Sequence, residues 1–247
     1  MADDETSEGG SRIIRHAGEV ERPLGVAEMD EEALEAIDRH LRKYVGEPAN
    51  VFHEIVSETV HIDVHIIAPS DERPFYTLAT TGMSHLPMTV PPGAEDFRYA
   101  ELILSLPPDW TPGPLWESDM NDERLYWPIR LLKMLARLPH TFDTWLGFGH
   151  TIPNGDPPAP YAPDTELCCG LVLTPVTVPE EFTSLTVRPD KTIHFYAVVP
   201  LYESEMHYKL KKGTEALIDC LNGIAVTEIL DPKRPLATTK KKRFLLF

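Results

Sequence analysis

His61, Asp63 and His65 alternate along the run HIDVHII. In an extended chain that spacing projects all three to one face, while Ile62, Val64 and Ile66 project to the other. Two imidazoles and a carboxylate are ligand types for zinc or a related transition metal. No second ligand cluster accompanies them in the sequence, so a polar, solvent-facing strand side is the simpler reading. No metal and no cofactor are expected. Other reactive residue types are scattered. Ser84 and His85 are neighbours, but side chains adjacent on a turn seldom share a catalytic geometry. Cys168 and Cys169 lie in the apolar run LCCGLVLT, where a thiolate is disfavoured. His140 precedes the stretch TFDTWLGFGHTIPNGD, His150 lies within it, and both read as hydrogen-bonded structural histidines. The chain has no HExxH, no paired CxxC, no GxxxxGK[ST] and no GxSxG. GFGH lacks the following glycine and helix of a dinucleotide fingerprint. No complete catalytic set is legible.

The elements that would position these residues read as follows. Leu34, Ile37, Leu41, Tyr44 and Val45 share one helical face, predicting a helix over 27–45 that Asp30 can cap and Gly46 can end. β-branched runs predict strands over 52–56 and 60–68, with further strands over 75–80 and 99–106. Pro128 suits a first helical turn, and Pro139 is expected to stop the helix it opens. Residues 144–152 (TWLGFGHTI) have strand character, ended by the turn chemistry of Pro153, Asn154 and Gly155. Residues 157–164 (PPAPYAPD) are too proline-rich for regular structure. The segments 167–174 and 192–199 are apolar on both faces and belong in the middle of a sheet. A last helix is expected over 203–221, with Gly213 a weak point within it.

Composition bounds the function. With 247 residues, 42% hydrophobic and 25% charged, the chain is an ordinary soluble domain in composition. Its 24 prolines, roughly twice the usual ~5%, argue for many turns and short strands. The net charge of -16 opposes a phosphate backbone and favours basic partners, so no nucleic acid is expected. Cys168, Cys169 and Cys220 make no disulfide framework, which suits a reducing cytoplasm. MADDETSEGG carries no apolar signal region and no stretch is long enough to span a bilayer, so neither secretion nor a membrane is expected.

Several blocks together carry a family resemblance. TWLGFGHTIPNGDPP, HIDVHIIAPSDERPFYTLATTGMS from His61, YAELILSLPPDW from Tyr99, WPIRLLKMLARLPH from Trp127 and PLYESEMHYKLKKG from Pro200 resemble, in order and spacing, the suppressor of fused (SUFU) domain in its bacterial single-domain form. The resemblance runs from about Val51 to Arg234. It implies a non-enzymatic protein-binding module. Animal relatives clamp a short extended peptide of Hedgehog-pathway transcription factors, using a second domain that is not expected at this length. Where the animal segment has an acidic residue before the histidine, this chain has Gly149, so that peptide is not carried over. Bacterial relatives resemble immunity proteins that neutralise a toxin by binding it, and an acidic surface suits a basic toxin domain.

The expected architecture is one α+β domain: a mixed, largely antiparallel sheet with helices packed mainly on one side. Residues 1–22 are expected to be a disordered arm, 23–235 the SUFU-like domain and 236–247 a basic tail. Trp145, Gly147, Gly149, His150 and Thr151 are the candidate partner-binding residues. Glycines without side chains would let a peptide approach the backbone, with Trp145 as an aromatic wall and His150 as a polar contact. The competing account is that the glycines relieve crowding in the fold. The rival class of function is a metal-dependent hydrolase using His61, Asp63, His65 or His150, and it requires three of these to converge.

Overall fold

The computed structural model describes residues 5–16, 18, 29–54 and 60–239. Near the N-terminus, β1 (Glu5–Thr6) and β2 (Arg12–Ile13) form a short antiparallel hairpin, where the sequence predicts disorder. The hairpin is held from outside: the Gly9 N–H donates to the Leu210 carbonyl at 2.7 Å. A Cβ on Gly9 would lie 2.4 Å from the Gly213 nitrogen, so only glycine fits this approach. A polar arm without periodicity gives no hint of such a docking point. Residues 1–4, 17 and 19–28 lie outside the described residues, as does the basic tail from residue 240.

Helix α1 (Glu31–Tyr44) forms as its sequence predicts. Asp30 Oδ1 accepts from the Ala33 N–H at 3.1 Å, acids fill the first turn, and Arg42 and Lys43 the last. Ala33, Ile37 and Leu41 are its fully buried stripe.

The main sheet contains β3 (Pro48–Phe52), β4 (Asp63–Ile67), β5 (Tyr76–Thr81), β6 (Ala100–Leu106), β7 (Thr151–Pro153), β8 (Leu167–Leu173), β9 (Ser184–Arg188) and β10 (Lys191–Tyr202). Their order is β3-β4-β5-β6-β10-β8-β7, and β9 pairs with the first half of β10. Among the described strands of this sheet, β6–β10 is the parallel pair and every other pair is antiparallel. This is the mixed, largely antiparallel sheet expected. Strands β3 and β7 are its two ends.

Alternation along the strands sorts the core into two layers. Val64, Ile66, Leu78, Leu102, Leu104 and Val198 point to one face and meet α2 (Glu123–Thr141) through Trp127, Leu131, Leu132 and Leu135. Ile67, Ala79, Ile103, Phe195 and Ala197 point to the other face and meet α1. On that second face, Cys169, Leu171, Val199 and Leu201 meet α3 (Glu203–Lys212) and α4 (Thr214–Asn222) through Met206, Leu217 and Leu221. Among the described residues, three α-helices share one face, and α2 covers the other together with Met83, Leu115 and Tyr161. Each fully buried Val, Leu, Ile or Phe side chain in these layers contributes ~1.5–3 kcal/mol.

Several boundaries differ from the sequence reading. The strand expected over 52–56 is instead Pro48–Phe52, and residues 55–59 lie outside the described residues. Helix α2 begins at Glu123 and runs through both Pro128 and Pro139. Asp122 caps it earlier through the Arg124 N–H, and burial of Trp127 and Leu135 outweighs the hydrogen bonds the prolines remove. The single helix expected over 203–221 is two, divided at Gly213, whose φ of 92° a helix cannot hold. Strand β9 was not read from the sequence, although Leu185 and Val187 alternate ahead of the turn at Pro189 and Asp190. Beyond residue 235, the Ala237 N–H still donates to buried Glu205 at 2.8 Å. Glu205 also takes a bidentate pair from Arg234, at 2.5 and 2.7 Å, so the chain through residue 237 packs on the start of α3.

Candidate functional site

The stretch 144–150 is not a strand. Gly149 has a φ of 81°, in the left-handed region, and the His150 N–H donates to the Gly147 carbonyl at 3.1 Å. That bond closes a turn over residues 147–150, so alternation cannot persist and β7 keeps only Thr151–Pro153. The turn is anchored to the sheet by the Gly149 N–H, which donates to the Val172 carbonyl at 2.8 Å. Phe148 stands at its tip, 54% exposed. The sequence reading passed over it, although an aromatic residue between two glycines is a usable signal.

The fold accounts for both glycines. A Cβ on Gly147 would lie 2.7 Å from the Trp145 ring. One on Gly149 would lie 3.3 Å from Thr214 Cγ2, in a backbone conformation that disfavours side chains. Trp145 and His150 pack edge to face, 4.4 Å between ring centroids and 72° between planes. Burial pushes the His150 imidazole down to about 4, helped by the Lys209 ammonium, against a hydrogen bond to the Trp145 backbone that favours the charged form. His150 is therefore neutral at pH 7 and supplies a polar but uncharged wall.

Thr151 is tied to the buried Lys209, whose Nζ donates to Thr151 Oγ1 at 3.2 Å and to Ser11 Oγ of the N-terminal hairpin at 3.4 Å. Burial pushes the Lys209 ammonium down. Lys209 carried no sequence signal, because it reads as one more lysine on a polar helix. Cys169 lies nearby, and burial pushes its thiol well up, so it is not a nucleophile at neutral pH. The five candidate residues are thus brought together, between the hairpin on one side and the sheet edge on the other.

Edge chemistry is limited. The Val172 N–H donates to the His150 carbonyl and the Asn154 N–H to the Cys168 carbonyl, so even-numbered residues face inward across β7–β8. Thr151 and Pro153 then direct their backbone groups outward. Proline has no N–H, which leaves Thr151 the outward donor of β7.

At the far end of the sheet, His61, Asp63, His65 and His150 do not converge on one point. His65 Nε2 lies 3.1 Å from Thr81 Oγ1, and His150 belongs to the β7 end. Instead His53 joins His61 and Asp63, and the three ligand atoms lie within 4.8 Å of one another. The sequence reading assigned this strand face no second ligand, because placing His53 opposite Asp63 requires the β3–β4 register. Ser84 and His85 form no catalytic pair. Ser84 Oγ donates to Glu101 Oε1 at 2.7 Å, and Glu101 also accepts from Thr80 Oγ1 and from the Gly82 and Ser84 N–H groups. This carboxylate is fully buried, and desolvation pushes its pKa up despite four donors. It fixes the tight turn at Gly82, a structural duty.

The family profile for suppressor of fused protein matches residues 58–235. The chain belongs to the suppressor of fused family. Its fold is similar to that of a SUFU homologue from Neisseria gonorrhoeae, with a TM-score of 0.59 at 15% identity, covering 86% of this chain and 98% of that one. It is also similar to a chain of the Sufu-Fu complex, with a TM-score of 0.52 at 17% identity, covering 76% of this chain and 83% of that one. Drosophila Suppressor of Fused gives a TM-score of 0.54 at 15% identity, covering 85% of this chain and 49% of that one. This SUFU domain thus spans about half the length of the Drosophila chain. No curated protein sequence matches it. Among the described residues no helix is long and apolar enough to cross a membrane.

Proposed function

We propose that this SUFU domain is a non-enzymatic protein-binding module whose partner docks on the turn and edge formed by Trp145, Gly147, Phe148, Gly149, His150 and Thr151. The observation that carries the reading is Phe148: a phenyl ring 54% exposed, on a turn that two backbone constraints hold rigid, beside an edge strand. Aromatic side chains held rigid in this way are the usual anchors of binding hot spots. The edge adds one outward N–H at Thr151, so pairing with a partner's backbone is short and side chains carry most of the affinity. Membership of the SUFU family and likeness to a chain crystallised as a Sufu-Fu complex support protein binding as the class of function.

The charge supports a basic partner. A net charge of -16 repels nucleic acid and steers a cationic protein, so a basic toxin domain neutralised by binding in the cytoplasm is the partner class we favour. The test is capture of the partner from native cells, followed by titration against wild type and Phe148→Ser. A basic protein should be recovered, and the variant should bind it weaker by about 2 kcal/mol or more, roughly thirtyfold, with an unchanged melting temperature. Unchanged affinity would move the interface elsewhere, and an acidic partner would overturn the partner class.

A further inference from the structure

We infer that His53, His61 and Asp63 form a binding site for a zinc-type divalent metal ion. The site follows from register. Phe52, the last residue of β3, pairs with Val64, so the next residue, His53, falls opposite Asp63. His61 lies two positions before Asp63 and reaches the same carboxylate from its own chain. His53 Nδ1 is 2.9 Å from Asp63 Oδ2, and His61 Nε2 is 3.0 Å from Asp63 Oδ1. A tetrahedral ion with bonds of ~2.0–2.1 Å places its ligand atoms roughly 3.3–3.4 Å apart. To hold one ion, each His–Asp pair opens by a few tenths of an ångström, and the ligand atoms, now within 4.8 Å of one another, draw in to that spacing.

Ligand chemistry selects the metal. Two imidazoles and one carboxylate suit zinc or a neighbouring transition ion, whereas calcium and magnesium take oxygen ligands. The carboxylate is already oriented, because Asp63 Oδ1 accepts from the Glu54 N–H at 3.0 Å. Access is open, since the His53 side chain is 70% exposed and borders a groove of about 410 Å³ between α1 and the sheet. Glu35 and Asp38 also line that groove but are paired with Arg39 and Arg42, so the attraction for a cation comes from Asp63 itself. Among the described residues, this is the one group of three or more His, Cys, Asp or Glu side chains whose ligand atoms gather so closely. Three protein ligands leave a position for water. A bound ion would join the two ends of the 54–60 connection, locking β3 to β4. The site sits at the sheet end opposite Phe148 and does not depend on the partner-binding reading.

The experiment titrates zinc chloride into the chelator-stripped full chain by calorimetry and records the visible spectrum after adding cobalt(II). One saturable equivalent of zinc and a tetrahedral cobalt band are expected. His53→Ala and His61→Ala should each weaken zinc binding by tenfold or more and abolish the band, with metal-free melting temperatures unchanged, whereas substitution of the exposed His207 of α3, His207→Ala, should leave both intact. The absence of saturable zinc binding, or binding that survives both histidine substitutions, would overturn the inference.

Discussion

Replacing Gly149 separates two explanations of the GFGH turn. If the glycine merely opens space for a partner, a side chain there leaves stability intact. The geometry predicts otherwise. Its φ of 81° lies in the left-handed region, where a residue with a Cβ costs ~1–2 kcal/mol. The new Cβ would also meet Thr214 Cγ2 at 3.3 Å, closer than comfortable contact. Gly149→Ala should therefore lose about 1–2 kcal/mol, and Gly149→Val, which adds overpacking of ~1–3 kcal/mol, about 2–5 kcal/mol. In a chain of this size, ~2–4 °C of melting temperature corresponds to each kcal/mol, so the alanine variant should melt roughly 2–8 °C lower. Gly149→Asn should lose least, because asparagine tolerates the left-handed region. Adding Thr214→Ala to Gly149→Val should recover the crowding part and leave the backbone part. Urea denaturation followed by circular dichroism measures each term. Wild-type stability in Gly149→Ala, or an asparagine loss equal to that of valine, would refute the backbone argument.

Two further outcomes follow from the same region. His150 has a folded pKa of about 4 against 6.5 for a free imidazole, so its contribution is complete above pH 6.5 and is lost as pH falls toward 4. At ~1.4 kcal/mol per unit the loss reaches up to about 3 kcal/mol, and denaturation curves of His150→Gln should show a correspondingly flatter fall between those pH values. Gly9→Val should release the N-terminal hairpin from the α3–α4 notch, because a Cβ there would lie 2.4 Å from the Gly213 nitrogen. Limited proteolysis should then cut the arm faster, while the global melting temperature changes little; unchanged protection would mean the arm is held by other contacts.

Periodicity made most of the fold legible. Ile37, Leu41 and Val45 of the α1 stripe, the alternation of β4 and β6, and the apolar runs of β8 and β10 stand where their patterns place them, while Leu34 and Tyr44 are only half-buried and Ala33 takes a core place instead. Reading failed where a long-range contact overrules local chemistry. Pro128 and Pro139 stay inside α2 because buried neighbours hold the helix together. Gly147 and Gly149 sit in a turn that β-branched neighbours disguise as a strand. The candidate site is legible in part: Trp145, Gly147, Gly149, His150 and Thr151 can be named from sequence. Phe148 was overlooked, Lys209 reaches Thr151 from a distant helix, and His53 finds Asp63 only through strand register. None of these long-range contacts leaves a periodic trace.

Hydrogen exchange on the domain, free and bound to its captured partner, tests the central claim most directly. If Phe148 and the β7 edge form the interface, the Thr151 amide and those of the 147–150 turn should slow on binding, while the opposite edge at β3 exchanges as before. Protection confined to β3 or α1, with residues 144–153 unchanged, would contradict the proposed interface.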